Sequence, residues 1–281
     1  MSECTHDCNS CTADCSSRKS ETAQSQKVAL NTHSRVKKVI GIVSGKGGVG
    51  KSSITALLSV MFNRKGYHTA IIDADITGPS IPKVFGISGQ RVAGNEENFM
   101  LPVSTETGID VISADFFLNS PTDPIVWRGS LISNMVCQFW TNVIWNDVDY
   151  MFVDMPPGTG DVPLTVFQSL PLDGIILVTT PQDLVAMIVE KAVKMANKME
   201  IPILGIVENM SFFECPDCGK KYYPFGESHI EQTAAAYNIP ILGRLPIDTE
   251  NARLCDSGKI ELSDNIFISD IADTIENILS K

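Results

Sequence analysis

"GIVSGKGGVGKSS", residues 41–53, decides how the rest of the chain is read. Gly45-Lys46-Gly47-Gly48-Val49-Gly50-Lys51-Ser52 satisfies the pattern G-x-x-x-x-G-K-[ST], and Ser53 follows it. Before the loop, the β-branched run "KKVIGIVS" reads as a strand; after it, "SSITALLSVMFNRKG" has helical spacing. Glycines at such a junction let backbone N–H groups close around phosphate oxygens, and the helix N-terminus adds favourable partial charge. Lys51 is expected to reach the β- and γ-phosphates of ATP, and the Ser52 hydroxyl to ligate Mg2+. A glycine-rich turn that merely packs a helix on a strand is the plainer alternative, and the correct flanking elements argue against it. One residue is left over: Lys46, a second lysine where a phosphate loop needs one.

Outward from the loop, "TAIIDAD", "DYMFVDMP", "GIILVTTP" and "IPILGIVENM" read as further buried strands. Between them, "RGSLISNMVCQFWTNVI", "DLVAMIVEKAVKMANKM" and "IFISDIADTIENILS" repeat apolar residues at helical spacing. The alternation implies an α/β fold, a mostly parallel sheet with helices on both faces. Ligands of such sheets bind where strands end. Asp154 ends one apolar strand, where the Mg2+-orienting carboxylate belongs, and Gly158 four residues on is placed to offer an N–H to the γ-phosphate. Asp73 and Asp75 end another strand; only one of them is expected to face the phosphates, and Asp75 is the candidate to orient or activate the attacking water.

The bulk properties bound the rest. A chain of 281 residues, 43% hydrophobic, suffices for one large domain with a sizeable core. Its net charge of −11 disfavours sequence-independent binding to nucleic acid. No apolar run approaches the ~18 residues of a membrane span. The opening "MSECTHDCNSCTADCSSRKS" lacks the apolar centre of an export signal, so a cytoplasmic protein is expected. Residues 1–35 are polar and read as a flexible, cysteine-bearing tail, residues 36–281 as the nucleotide-binding domain. In a reducing compartment, clustered cysteines read as metal or redox groups rather than disulfides. Cys4, Cys8, Cys11 and Cys15 crowd the tail, Cys215 and Cys218 form a C-P-D-C pair, and Cys137 and Cys255 stand alone and read as core.

The loop "KGGVGKS", with its extra lysine, resembles the deviant phosphate-loop ATPases, the class of the nitrogenase iron protein, MinD and ParA. Within that class, "DADITGPSIPKVFG", "WRGSLI", "DYMFVDMPPGTGD" and "ENMSFFECPDCGKKYYPFG" together resemble the Mrp/ApbC-type iron–sulfur cluster carriers, over about Val36 to Arg253. The resemblance implies a homodimer in which Lys46 crosses to the nucleotide of the other subunit, stabilising charge as a finger arginine does. It also implies a base pocket containing Asn209, from "GIVENM", and Pro246 and Asp248, from "GRLPID".

Two thiols fall short of a closed four-ligand site, but a twofold axis would bring Cys215 and Cys218 together with their copies around one 4Fe–4S cluster, as the resemblance also implies. Zinc, for which "CPDCG" resembles half a ribbon, and a redox pair are the alternatives. The tail cysteines are compact enough for a further 4Fe–4S cluster, with zinc, or His6 as a ligand, as alternatives; larger relatives space such cysteines more widely. The expected function is a slow ATPase that assembles a 4Fe–4S cluster and passes it to apo iron–sulfur proteins, with no nucleic-acid or membrane partner. The alternative is a MinD/ParA-like positioning or partition ATPase with structural zinc. A membrane-binding relative would want a basic amphipathic C-terminal helix, whereas "DNIFISDIADTIENILSK" is acidic.

Overall fold

The computed structural model describes residues 27–118, 129–158, 160–182, 185–226 and 228–280. The tail cysteines Cys4, Cys8, Cys11 and Cys15 lie outside them.

The strands, in chain order, are β1 (Val36–Val43), β2 (Thr69–Asp73), β3 (Ala93–Gly94), β4 (Met100–Leu101), β5 (Val103–Ser104) and β6 (Asp110–Ile112). β7 (Val148–Asp154), β8 (Gly174–Thr179), β9 (Ile203–Glu214), β10 (Lys221–Tyr222) and β11 (Ile241–Pro246) follow. The helices are α1 (Lys51–Arg64), α2 (Ile81–Val84), α3 (Gly129–Thr141) and α4 (Asp161–Ser169). After them come α5 (Val185–Lys198), α6 (Ile230–Tyr237), α7 (Thr249–Asp256) and α8 (Ile266–Leu279).

The main sheet runs β10-β9-β8-β1-β7-β2-β6-β5, with β11 beside β9. Pairing is parallel throughout its centre, and only β10 on β9 and β5 on β6 are antiparallel. β2 and β8 are buried along their whole length, as strands covered on both faces must be. That accounts for their unbroken apolar runs. α8 packs on β11 and α1, which in turn lies on β7 and β2. Ile268, Ile271, Ala272 and Ile275 form its buried stripe. A side chain at Gly243 of β11 would meet Ile271 Cδ1 at 2.7 Å, so α8 sits directly on the strand backbone.

Residues 27–35, expected to belong to the flexible tail, are fastened to the domain. Lys27 Nζ donates to the carbonyls of Phe167 and Leu170 at 2.8 and 2.9 Å, and Val28 N donates to Ser169 O at 2.8 Å. The Asn31 amide donates to Thr141 O and Val143 O at 2.9 and 2.8 Å, and Trp140 Nε1 to Val28 O at 2.8 Å. Residues 27–35 are thus stitched to α3, α4 and the loops after them. Polar composition does not forbid order when each polar group finds a partner.

β1 lies between β7 and β8, and β7 between β1 and β2. Register sets Ile42 opposite Asp154, and Asp154 opposite Asp73. The phosphate loop and the strand-end acids therefore meet at one edge of the sheet.

Candidate nucleotide and metal sites

The loop begins where β1 ends. Gly48 and Gly50 adopt φ of 79° and 82°, the left-handed region that favours glycine. Gly50 caps α1, and Ile54 N donates to its carbonyl at 3.0 Å, leaving the first-turn N–H groups of the helix without intrahelical acceptors. A side chain at Gly47 or Gly48 would meet nothing within 4 Å, so the hollow in front of the loop is open. Ser44 Oγ, buried beneath the loop, has no hydrogen-bond partner among the described residues. An open hollow, free helix N–H groups and an orphan hydroxyl suit a phosphate chain.

Asp154 closes the site from below. Its Oδ1 accepts from Lys51 Nζ at 2.7 Å and from Thr55 Oγ1 at 2.8 Å; its Oδ2 accepts from Ser52 Oγ at 2.6 Å. Asp154 is fully buried and Lys51 only 6% exposed. The Ser52 hydroxyl beside a carboxylate is the hard oxygen donor set that Mg2+ takes. Thr55 carries no motif, yet it stands one helical turn after Lys51 and so faces the same acid.

Asp73, also fully buried, accepts from Ser113 Oγ at 3.0 Å. Burial, reinforced by the Asp154 carboxylate, pushes its carboxyl well above the usual range. Asp75 is raised as well, again chiefly by burial, with Lys51 pulling the other way. The expectation that only one of the two acids faces the phosphates does not hold: residues two apart share a face of a strand, so the spacing itself does not separate them. β2 ends at Asp73, Asp75 stands in the turn beyond, and both carboxyls feel Lys51 and Asp154. Gly158 N donates to Ser44 O at 2.8 Å, so here its N–H is bound within the chain. Lys46 is exposed and donates from Nζ to Gln182 Oε1 at 2.6 Å, on the β8 side of the loop.

A cleft of about 420 Å3 opens beside the loop, lined by Gly50, Ser53, Asn209, Pro246, Asp248, Phe225 and Cys255 among others. The expected base-pocket residues thus converge on one cavity. Asn209 Nδ2 donates to Val49 O at 2.9 Å, tying β9 to the loop, while its Oδ1 accepts from Met210 N at 3.0 Å. The Asp248 carboxylate caps α7, accepting from Glu250 N, Asn251 N and Asn251 Nδ2 at 2.9, 3.0 and 2.7 Å. It shapes the wall by fixing that helix. Cys255, expected in the core, packs half-buried against it and also lines this cleft, its Sγ 3.7 Å from Ser53 Oγ, because α7 turns that face toward α1. Burial pushes its thiol up.

Cys215 and Cys218 lie just beyond β9, in the turn before β10. Cys215 N donates to Lys220 O at 3.0 Å and Gly219 N to Cys215 O at 2.9 Å, closing a tight knuckle. Backbone N–H groups of Asp217 and Cys218 point at the Cys215 sulfur and hold its thiol below the ordinary range. Cys218 is exposed, and Cys215 partly so. Among the described residues, no cluster of three or more His, Cys, Asp or Glu is placed to hold a metal ion. The pair by itself offers two sulfur donors.

Comparison with known proteins agrees with this geometry. Residues 35–281 match the family model described as ParA, "NUBPL iron-transfer P-loop NTPase". A Clostridium perfringens protein named iron-sulfur cluster carrier protein is 42% identical over 236 residues, 82% of either chain. The solved nucleotide-binding protein of Archaeoglobus fulgidus, in complex with ADP and with Co found in it, is 43% identical. It superposes with a TM-score of 0.74 over 82% of this chain and 90% of that one. The cell-division ATPase MinD of Pyrococcus furiosus shares the fold alone, with a TM-score of 0.63 at 21% identity over 86% of this chain and 99% of that one. With nearly the whole described body matched and the phosphate loop, strand-end acids and thiol pair in place, the chain belongs to the NUBPL iron-transfer P-loop NTPase family.

Proposed function

We propose that this protein binds and slowly hydrolyses ATP as a homodimer, assembles a 4Fe–4S cluster between its two subunits, and hands it to apo iron–sulfur proteins in the cytoplasm. The observation that carries the reading is the solvent-facing Cys215–Cys218 knuckle, two thiols held on one tight turn, on a chain that also holds a complete phosphate loop.

Gly45, Lys46, Gly47, Gly48, Val49, Gly50 and Lys51 would wrap the phosphates, with Ser52 and Ser53 at the helix start. Ser52 and Asp154 would hold Mg2+, which when bound neutralises phosphate charge. Lys51 would turn from Asp154 to the β- and γ-phosphates, and Gly158 would exchange its bond to Ser44 for one to the γ-phosphate. Asp75, less buried than Asp73, would orient the attacking water and accept its proton as the new P–O bond forms and the bond to ADP breaks. Asn209, Pro246 and Asp248 would frame the adenine. Lys46, held here by Gln182, would swing to the partner's nucleotide.

Cluster cargo would sit on the twofold axis, with two Cys215 and two Cys218 as ligands. A site split between separable subunits suits release. The tail cysteines Cys4, Cys8, Cys11 and Cys15 would hold a second cluster. The MinD/ParA-like alternative finds less support: the buried stripe of α8 packs on β11 and α1.

The test is transfer. Protein reconstituted anaerobically with iron and sulfide is mixed with an apo-enzyme that needs a 4Fe–4S cluster, and enzyme activity is followed with and without ATP. The parent is expected to activate the enzyme faster than the same iron and sulfide free in solution. Lys46→Ala is expected to bind ATP but lose most hydrolysis. Activation no faster than that by free iron and sulfide would remove the carrier reading; hydrolysis at the parental rate in Lys46→Ala would remove the crossing lysine.

A further inference from the structure

The hairpin that bears the thiols enters and leaves through the nucleotide cleft. Its stem is β9, whose Asn209 and Met210 line that cleft. At this point β9 bulges: four residues from Glu208 to Phe212 pass while β11 advances two, from Arg244 to Pro246, and Met210 takes φ of 55°. The strand then runs out to Glu214 and the cysteine knuckle. It returns through β10, locked by the pairs Lys221–Glu214 and Tyr222–Phe213. A turn closed by Gly226 N on Tyr223 O, at 3.0 Å, sets Phe225 back against the same cleft. Cys215 and Cys218 thus sit on a hydrogen-bonded unit with both ends in the cavity.

Phe225 is the aromatic wall of that cavity, and its ring is exposed. Apolar Leu245 and Pro246 line the same cavity. An exposed ring in a cavity with apolar lining can offer a π-face to a planar aromatic ligand. We propose that Phe225 stacks on the nucleobase and, being carried by the cysteine hairpin, transmits nucleotide occupancy to Cys215 and Cys218. The inference rests on the reading that this cleft takes ATP, and it adds the residue that couples that site to the thiols.

The test uses the full-length apo-protein, so it needs no cluster. Alkylation of Cys215 and Cys218 by iodoacetamide, resolved by peptide mass, is measured with and without a non-hydrolysable ATP analogue and Mg2+. Slower alkylation of Cys255 in the same samples reports that the cleft is filled. In the parent, the analogue is expected to change the Cys215 and Cys218 rates about fivefold or more. Phe225→Ala is expected to bind the analogue about tenfold more weakly. At saturation it should protect Cys255 while Cys215 and Cys218 keep their nucleotide-free rates. Phe225→Tyr, which keeps the ring, should keep the response; Phe225→Leu, which keeps the apolar bulk, should lose it and serves if the alanine variant fails to fold. Parental coupling in Phe225→Ala or Phe225→Leu with Cys255 protected, or thiols indifferent to nucleotide in the parent, overturns the proposal. No protection of Cys255 in the parent overturns it together with the cleft assignment. Failure of cluster carriage would show separately, as failed reconstitution with these thiol responses intact.

Discussion

Lys51 and Lys46 answer to the same loop but differ in what the fold asks of them. Lys51 is buried against an acid that has no solvent at all. Removing the lysine leaves the buried Asp154 carboxylate without its ion-pair partner and beside Asp73. Lys51→Ala is therefore expected to cost about 3–5 kcal/mol in urea unfolding, besides abolishing ATP binding. The exposed Lys46 should cost less than about 0.5 kcal/mol on the same measurement. Asp73 gives a prediction with a pH sign. Its folded pKa is raised, so the folded state binds that proton more tightly, and the stability it contributes falls as pH rises from the ordinary carboxylate range toward the folded value. Asp73→Asn removes this loss. It should stabilise the protein by about 1–2 kcal/mol at about pH 7.5 and have little effect near about pH 4, as read from thermal unfolding. The loop residues and Asp154 were legible because phosphate binding demands their types at fixed spacing. Thr55, Ser113 and the cleft position of Cys255 were not, since a hydroxyl or thiol on a helix or turn acquires its role only from what packs opposite.

Among the elements, β9 is the one whose sequence reading stops short. "IPILGIVENM" shows its buried half, while the outer half through Glu214 forms only because β10 and β11 pair with it. Its bulge leaves no sequence signal, because Met210 is not a residue that usually marks positive φ. The fastening of residues 27–35 was hidden in the same way: Asn31 and Lys27 look like linker residues until the carbonyls of residues 141, 143, 167 and 170 stand beside them. α8, by contrast, was plain in its isoleucine spacing, and its seat on Gly243 makes a sharp prediction. Gly243→Ala would put a methyl 2.7 Å from Ile271 and should lower stability by about 1–3 kcal/mol in denaturant unfolding. Pairing it with Ile271→Val should recover part of that loss.

For the molecule as a whole, the parallel order β8-β1-β7-β2 makes the account cohere. It brings the loop, Asp154, Asp73 and Asp75 to one edge, and the continuation of that edge through β9 carries the cysteines. The α/β class and this edge were legible from strands alternating with helices. In the proposed assembly a second copy supplies the other half of the thiol site, since two ligands per subunit make a four-ligand set only through symmetry. The decisive measurement is anaerobic iron and sulfide reconstitution of a full-length variant with Cys4, Cys8, Cys11 and Cys15 changed to Ser. Metal analysis, visible absorption and sizing would be read together. A brown dimer holding one 4Fe–4S cluster per two chains, lost when Cys215 and Cys218 are also changed to Ala, is the expected result. A colourless protein with stoichiometric zinc, or colour that survives the loss of Cys215 and Cys218, would contradict it.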